Sequence, residues 1–452
     1  MQDTNNNPDS ENKLKEIRIS AKDFIRPPYI KCPNCGENYF GILIVQENRY
    51  HRRCARCYYP KSSESSAVFP LPTLSKKIIY LDQFAVSEMM KALNPRTKAF
   101  KKNRIDKYWL DLFMKLDKLC KMQLISSPFS EYHEIEAMPF EFRDDLKRMI
   151  NQLSAGVEFK RSGFIKGYQF SKHISNWLNG EGNIEPRLEV KDVTNGKMGT
   201  WTDWLIIDVP FRADQDLINQ LRERKEISHD ALSNVYTRWK KEGNRNYQDW
   251  FCEEWRSFGE SVLKAYLIYS VDKTKRFDEI ISGKRQIKFE DFGEADINII
   301  MTSIYNTLKK AGIENNKLTS KIKEYLYSDS IVYLPYCRIH AALFAALALK
   351  ASRGQKKIKS KGMQIDIEML SVLMPFCDVM YVDRECHNLI NEARINNVID
   401  DKTMIYSSLN NIEFINYLDE IEQNASIEYL QKIREVYGDN WGNPYITMFL
   451  NE

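Results

Sequence analysis

The sequence lacks any apolar run long enough to cross a lipid bilayer as a helix. The longest run, IHAALFAALAL at residues 339–349, is about half of the ~20 residues that a membrane-spanning helix needs. The N-terminus, MQDTNNNPDSEN, has neither a basic nor an apolar segment, so we expect no signal peptide. Residues 1–28 begin with a polar, Asn-rich stretch, which predicts a flexible tail. We therefore expect a protein without a membrane partner.

Two common kinds of catalytic motif are also missing. The sequence has no GxxxxGK[ST] loop and no Gly-rich turn after its first main-body strand, so we expect no nucleotide-cradling site. No Ser or Cys occurs at a predicted strand-to-helix elbow with a His to activate it, so nucleophilic catalysis is not indicated. The formal net charge is only +4, and any binding to nucleic acid must therefore come from local basic patches.

What the sequence does contain is typical of a folded protein. Its 452 residues are 43% hydrophobic and 12% aromatic, which is enough for a sizeable core and two or three domains. Residues 140–330 are rich in tryptophan and have helix-like spacing over most of their length. This pattern predicts a large helical region, either an inserted lobe or an adjoining domain.

Four of the nine cysteines follow a metal-binding pattern. Each CxxC pair places two thiolates on one tight turn, and a hairpin between the pairs can complete a tetrahedron. We therefore predict a zinc ribbon over residues 29–61, with Zn²⁺ held by Cys32, Cys35, Cys54 and Cys57. Four thiolates leave no open coordination position, so this zinc should be structural. The rim of the ribbon should carry Arg52, Arg53, Arg56 and Lys61.

The remaining cysteines occur singly within predicted helices or strands. They are Cys120, Cys252, Cys337, Cys377 and Cys386. This distribution indicates a reducing, cytoplasmic environment rather than a disulfide framework.

Carboxylates follow buried-type strands at two places in the main body. The apolar run Ile78 to Leu81 ends on Asp82, and the run Val379 to Val382 ends on Asp383. Ligands of open α/β sheets bind outside the carboxyl ends of the strands, so we expect both acids at one edge of a sheet. Asp366 begins an apolar helix that leads to the second strand, and its N-terminus should lie at the same edge.

A fourth acid is expected from the helix after the predicted strand Gln123 to Ser126. Ser127 is a suitable N-cap and Pro128 a suitable first helical residue. The second turn then carries Glu134, and Glu131 lies one turn earlier on nearly the same face as an alternative. Four crowded carboxylates need a counter-charge, and hard oxygen ligands select Mg²⁺ or Mn²⁺.

Asp378 does not belong to this predicted set. It begins the strand that Asp383 ends, and five residues at about 3.3 Å each separate their Cα atoms by roughly 16 Å. The two aspartates therefore cannot share a metal, and we expect Asp378 to be structural.

The order of the motifs YLD, SPFSEYHEIE and DIEMLSVLMPFCDVMYVD resembles the PIN-like nuclease superfamily. The resemblance implies an α/β fold with a parallel sheet flanked by helices, built from residues 76–139 and 331–440 and interrupted by a helical insertion at 140–330. It also implies cleavage of RNA, less often DNA, with Mg²⁺ or Mn²⁺ bound by acids. By position, these acids are Asp82, Glu134, Asp366 and Asp383.

The leading hypothesis is a metal-dependent endonuclease that hydrolyses phosphodiester bonds, mainly of RNA. Asp82, Asp366 and Asp383 would bind the metal, and Glu134 would bind it or orient the attacking water. The basic segment 96–104 is a weaker candidate for phosphate contacts than the basic loop beside Asp366. That loop carries Arg353, Lys356, Lys357, Lys359 and Lys361.

Two further hypotheses concern the wider role of the protein. RNA cleavage in host defence or by a toxin-type ribonuclease is compatible with such a site, although no residue demands it. The alternative to an enzyme is a non-catalytic adaptor in which the zinc ribbon and PIN-like scaffold bind nucleic acid. A protein partner could then dock on the ribbon or on the helical insertion.

Overall fold

The computed structural model describes residues 21–61, 67–196, 198–203, 215–243, 245–287, 291, 293–355, 360–400 and 402–450. Most of the predicted tail, residues 1–20, lies outside this set. Within the described residues the fold is mixed α/β, as the sequence predicts, and contains three sheets.

The described residues form ten strands and sixteen α-helices. The strands are β1 (Arg26–Ile30), β2 (Phe40–Gln46), β3 (Arg49–Cys54), β4 (Val68–Pro70), β5 (Lys77–Leu81), β6 (Ile125–Ser126), β7 (Glu158–Phe159), β8 (Thr194–Asn195), β9 (Val379–Tyr381) and β10 (Met404–Tyr406). The helices are α1 (Gln83–Leu93), α2 (Lys98–Lys101), α3 (Lys107–Lys121), α4 (Glu131–Ala137), α5 (Arg143–Ser154), α6 (Ser162–Leu178), α7 (Val190–Val193), α8 (Gln215–Lys241), α9 (Tyr247–Ile281), α10 (Asp296–Lys310), α11 (Asn315–Leu326), α12 (Pro335–Ser352), α13 (Met363–Leu373), α14 (Arg384–Ile395), α15 (Asn411–Gln423) and α16 (Ile427–Tyr437).

The N-terminal strands β1 to β4 form an antiparallel sheet in sequence order. This sheet extends beyond residues 29–61 at both ends, because β1 begins at Arg26 and β4 pairs with β3. Its apolar residues, including Ile42 and Tyr50, form one cluster with Val436 and Tyr437 of α16. The four-cysteine segment is therefore packed against the C-terminal helix.

Arg52 helps to hold this contact and does not lie on the rim, where the sequence placed it. Its side chain is buried, with only 2% of the residue exposed. The guanidinium donates to the carbonyl oxygens of Pro28 at 2.8 Å, Phe40 at 2.9 Å and Glu435 at 2.9 Å. The prediction for Arg52 was wrong. Side chains of a strand point to alternate faces of the sheet, and Arg52 is on the face that packs against α16.

The second sheet has the strand order β10-β9-β5-β6, and every neighbouring pair is parallel. The central strands β5 and β9 are buried from Ile78 to Leu81 and from Val379 to Tyr381. Strands that are buried on both faces need helices on both faces. The parallel, helix-flanked sheet expected from the sequence is thus present.

Alternate residues of the central strands point to two different cores. Ile78 and Tyr80 join a large cluster that extends through α6, α8–α10 and the nearly enclosed α12. Ile79 and Leu81 face the opposite way, toward α1, α3, α5 and α15. The long helical region therefore shares its core with the sheet. Among the described residues, no helix combines the length and apolarity needed to span a bilayer.

Candidate active site

Two aspartates lie side by side where the central strands end. β5 pairs with β9 so that Leu81 is opposite Tyr381, and the Asp82 amide donates to the Tyr381 carbonyl at 2.9 Å. Asp82 is the N-cap of α1, and its Oδ1 accepts from the Gln83 amide at 2.7 Å. Asp383 is the N-cap of α14, and its Oδ1 accepts from the Cys386 amide at 2.7 Å. Both caps fix their carboxylates at the carboxyl edge of the sheet.

Asp366 reaches the same edge from the first turn of α13. Its amide donates to the Gly362 carbonyl at 3.0 Å, so the carboxylate projects from a regular helical turn. Carboxylate oxygens of Asp366 and Asp383 lie within 4.8 Å of each other and of the Cys386 sulfur. The three aspartates singled out by the sequence are therefore brought together.

The fourth acid of the group is Glu136, which the sequence analysis missed. Glu136 lines the same cleft as Asp82, Asp366 and Asp383, whereas Glu134 lines a neighbouring cavity with Arg143. The physical reason is helical phase, because two positions turn the side chain by about 200°. The expected position of Glu134 was wrong.

The helix α4 also begins later than the sequence predicts. The helix is capped at Ser130, three residues after the expected cap at Ser127. The chain stays extended through Phe129, whose amide donates to the Val157 carbonyl at 3.1 Å and whose carbonyl accepts from the Phe159 amide at 2.7 Å. This β-type pairing delays the first helical turn.

His133 fixes α4 against the end of β5. Its Nδ1 accepts from the Ser130 amide at 3.1 Å, so Nε2 carries the proton and donates to the Leu81 carbonyl at 2.7 Å. Burial lowers the pKa of His133 to about 4, and the ring is therefore neutral. Because Leu81 precedes Asp82, this bond anchors α4 beside the end of the strand that carries Asp82.

Glu131, the alternative second acid, has a different partner. Its Oε1 accepts from the amide of Ser162 at the start of α6, at 2.7 Å. Burial raises the pKa of Glu131, while the bonds to Ser162 oppose that rise. Glu131 therefore serves as a capping group for α6.

The four acids repel one another. Burial raises the pKa of Asp82 well above its usual 3.8, and the charges of Glu136 and Asp383 add to the rise. Burial likewise raises the pKa of Asp366, with further contributions from Asp82, Glu136 and Asp383. Burial also raises the pKa of Glu136, and Lys225 opposes this effect. Burial and mutual repulsion therefore both disfavour the charged forms of Asp82, Asp366 and Glu136.

The acids lie in a cleft of about 900 Å³, which we call the acidic cleft. Its other walls come from α1, α2, residues 140–142 and Lys225 of α8. Arg96, Lys98 and Lys101 also line it, and both lysines are exposed. Phe140 lies on the wall and is 57% exposed. The acidic cleft thus combines acids with basic and aromatic side chains.

The basic loop beside Asp366 is placed less favourably than expected. Arg353 pairs with Glu392 at 3.6 Å, and Lys361 pairs with Glu226 at 2.8 Å. Neither lines the acidic cleft, although Ser360 and Gly362 do. The predicted contacts from Lys356, Lys357 and Lys359 lie outside the described residues. Of the two basic segments, only the weaker candidate, 96–104, supplies described cations to the cleft, beside Lys91 and Lys225.

Asp378 lies at the opposite end of β9, as expected from strand length. Its Oδ2 accepts from the Ile78 amide at 2.8 Å, and its Oδ1 pairs with Lys77 at 2.9 Å. These bonds join β9 to the beginning of β5. Asp378 is structural.

The four N-terminal cysteines form a second cluster. Their sulfurs lie within 4.8 Å of one another, and the distances from Cys32 to Cys57 and from Cys35 to Cys54 are both 3.7 Å. A tetrahedron with Zn–S bonds of 2.3 Å has edges of about 3.8 Å. The Cys57 amide also lies 3.4 Å from the Cys54 sulfur, to which it donates. The cluster therefore has the dimensions of a metal site. None of the nine cysteines forms a disulfide.

Comparison with protein-family models, with curated proteins and with solved structures gives no match to this chain. A function must therefore be argued from the chemistry of the site.

Proposed function

We propose that this protein is a Mg²⁺- or Mn²⁺-dependent endonuclease of PIN-like type that hydrolyses phosphodiester bonds, mainly of RNA. One observation carries the proposal: four separate parts of the chain bring Asp82, Glu136, Asp366 and Asp383 into one cleft. Mutually repelling acids at the carboxyl edge of a parallel sheet are costly to maintain unless they bind a cation.

The donor atoms fit a hard divalent cation. The Asp366 and Asp383 carboxylates are close enough for one ion to contact both, and carboxylate oxygens are the ligands that Mg²⁺ prefers. Such a cation, when bound, lowers the pKa of a coordinated water and stabilises charge on a leaving oxygen. The supporting electrostatic observation is the raised pKa of Asp82 and Asp366, first through burial and then through neighbouring acids.

The position of each acid gives it a separate role in the proposed reaction. Asp82, Asp366 and Asp383 hold the cation, and the two helix caps keep Asp82 and Asp383 from rotating away. Glu136 takes the role first assigned to Glu134 and accepts a proton from, or orients, the attacking water. The raised pKa of Glu136, caused by burial, suits a proton acceptor at neutral pH.

The surroundings of the acids favour a nucleic-acid substrate over a small phosphate ester. Lys98 and Lys101 extend along the cleft wall, where they can contact successive phosphates. The exposed ring of Phe140 offers a surface on which a base can stack. Both features are suited to a polynucleotide substrate, which has several phosphates and bases.

The four-cysteine cluster is proposed to bind one structural Zn²⁺. The 3.7 Å sulfur separations and the amide donor to Cys54 support this assignment. A site with four thiolates has no open position, so the zinc would stabilise the antiparallel sheet and leave chemistry to the acidic cleft.

The proposal is tested by incubating the purified protein with RNA and DNA panels in Mg²⁺, in Mn²⁺ and in EDTA. We expect metal-dependent internal cleavage, with RNA as the better substrate. Asp82→Asn and Asp383→Asn should abolish cleavage, yet remain folded because Asn is as good an N-cap as Asp.

Asp378→Asn is the matched control, because Asp378 is at the other end of the same strand. This variant should cleave at the wild-type rate, with a modest loss of stability. Unchanged activity in both Asp82→Asn and Asp383→Asn would remove the nuclease assignment and favour the adaptor hypothesis.

A further inference from the structure

Helix α8 belongs to the long helical region, yet it reaches the acidic cleft. Its second half is anchored in the core by Leu232, Tyr236 and Trp239, all buried in the cluster that includes α12. Its middle, at Glu226 and Ser228, lies beside the start of α13, which carries Asp366. One helix therefore connects the helical region to the proposed catalytic edge.

Two polar contacts fix α8 at this position. Glu226 forms an ion pair with Lys361 through both carboxylate oxygens, at 2.8 and 3.0 Å. Ser228 donates a hydrogen bond to the side chain of Gln364, in the first turn of α13. Lys361 and Gln364 lie five and two positions before Asp366, so α8 and the acid are held to the same short segment.

Lys225, next to Glu226, enters the acidic cleft and is half-buried. Its positive charge acts on Glu136 and Asp366. Among the described residues, Lys225 lines the cleft without a close ion pair to any of its four acids. Lys225 therefore lies in the acidic cleft with Glu136 and Asp366, near enough for its charge to act on both.

We propose that Lys225 binds a non-bridging oxygen of the substrate phosphate that lies over the four acids, so that the helical region completes the active site. This inference rests on the proposed nuclease function and adds a specific substrate contact to it. An ammonium group is a compact charge on a flexible stem, which suits a phosphate oxygen whose exact position varies.

A purely neutralising role fits the position of Lys225 less well. A lysine that only balances charge gains most when it touches its carboxylate, because the interaction falls with distance. Lys225 instead lines the cleft without a direct ion pair to the four described acids, and one ammonium could not neutralise four carboxylates. With a divalent cation at the acids, the lysine charge would remain available for an anion.

The test compares Lys225→Met, Lys225→Arg and Lys264→Met. Lys264 is an exposed lysine on α9 and is the matched control for loss of one surface charge. Binding is measured by fluorescence anisotropy with a labelled single-stranded RNA, at one fixed Mg²⁺ concentration in the inactive Asp383→Asn background, over a range of monovalent salt concentrations. Cleavage is measured with Asp383 intact.

Loss of a phosphate contact should make the plot of log Kd against log salt concentration shallower by about 0.7 for a single strand. We expect this change for Lys225→Met but not for Lys264→Met, together with a fall in kcat/KM of about tenfold to a hundredfold. Lys225→Arg should retain most of the binding. Thermal melting confirms that each variant is folded.

Other outcomes distinguish failure of the Lys225 inference from failure of the proposed nuclease function. If wild type cleaves RNA and Lys225→Met keeps both the salt slope and kcat/KM of Lys264→Met, the inference is wrong and the nuclease assignment stands. If Lys225→Met melts at a lower temperature than wild type in EDTA but keeps the wild-type salt slope of RNA binding, Lys225 only balances the charge of the acids. That result would also overturn the inference. Wild type that neither binds nor cleaves nucleic acid overturns the proposed function itself.

Discussion

Glu136 lies on the buried side of α4, one turn after Tyr132 and three residues after His133. Both neighbours are buried, at 7% and 2% exposure. A carboxylate on the same stripe as two buried side chains needs a polar environment, which here is the acidic cleft. Glu134 is about 200° away on the helix and has no such constraint. The stripe formed by residues 132, 133, 136 and 137 was therefore the sequence signal that could have identified Glu136.

This difference predicts opposite results for two isosteric substitutions. Glu136→Gln should lower the rate of RNA cleavage by about a hundredfold or more, because the site loses a proton acceptor. Glu134→Gln should leave the rate within about twofold. Initial rates at saturating metal provide the measurement, and a result in the reverse order would return the fourth acid to Glu134.

The aspartates also affect the stability of the protein without metal. For Asp82 and Asp366, burial followed by repulsion from the other acids holds the folded-state pKa above the ordinary 3.8. The folded state thus binds protons more tightly than the unfolded state does. The contribution of these two aspartates to stability should be most favourable below about pH 4 and should decrease as the pH rises above that value. This direction is opposite to that of a salt-bridged carboxylate.

Asp366→Asn should therefore stabilise the protein in EDTA. Asp366 is not an N-cap, so the substitution removes charge repulsion without loss of a helix cap. At neutral pH we expect the free energy of unfolding to increase by about 1 kcal/mol, as is common when a strained functional residue is neutralised. Urea denaturation at several pH values measures the effect, which should shrink toward pH 4. Mg²⁺ should stabilise wild type more than this variant.

At the level of elements, the sequence predicted those whose signals are local. The strands that end at Asp82 and Asp383, and the apolar helix α13 that carries Asp366, follow from apolar runs in the sequence. The start of α4 could not be predicted in this way, because Phe129 remains extended through bonds to Val157 and Phe159, about thirty residues later. Propensity at Ser127 and Pro128 was overridden by a tertiary contact.

The antiparallel sheet gives a prediction at the same scale. The protein should contain about one zinc per chain, and Cys54→Ser should remove it. Because Arg52 and Tyr50 connect this sheet to α16, loss of zinc should also loosen the C-terminal helix. Elemental analysis measures the metal, and hydrogen exchange should show faster exchange in residues 427–437. Cys252→Ser, at a single cysteine on α9, is the control that should keep its zinc.

At the level of the whole molecule, the helical region and the sheet form one folded unit. Trp239 of α8 is fully buried beside Trp250 of α9 and Phe344 of α12. Sequence spacing identified the helices but not the faces that pack, because an apolar stripe does not reveal its partner. The region was therefore equally consistent with a separate lobe. A shared core explains how α8 can hold Lys225 at a fixed place over the acids.

The distribution of charge gives the last prediction. With a formal net charge of only +4, the protein cannot attract RNA through its overall charge and must rely on the cations that line the acidic cleft. Lys98→Glu/Lys101→Glu should therefore weaken RNA binding at least tenfold and make its salt dependence shallower by about 1.4, since each phosphate contact contributes about 0.7.

Lys309→Glu/Lys310→Glu, at two exposed lysines on α10, reduces the net charge by the same amount. If the cleft lysines contact phosphates, only the first double variant should lose binding. Equal losses in both variants would mean that overall charge governs binding, and Lys98 and Lys101 would then have no specific role. Anisotropy titrations of the two variants, each combined with Asp383→Asn to prevent cleavage, distinguish these results.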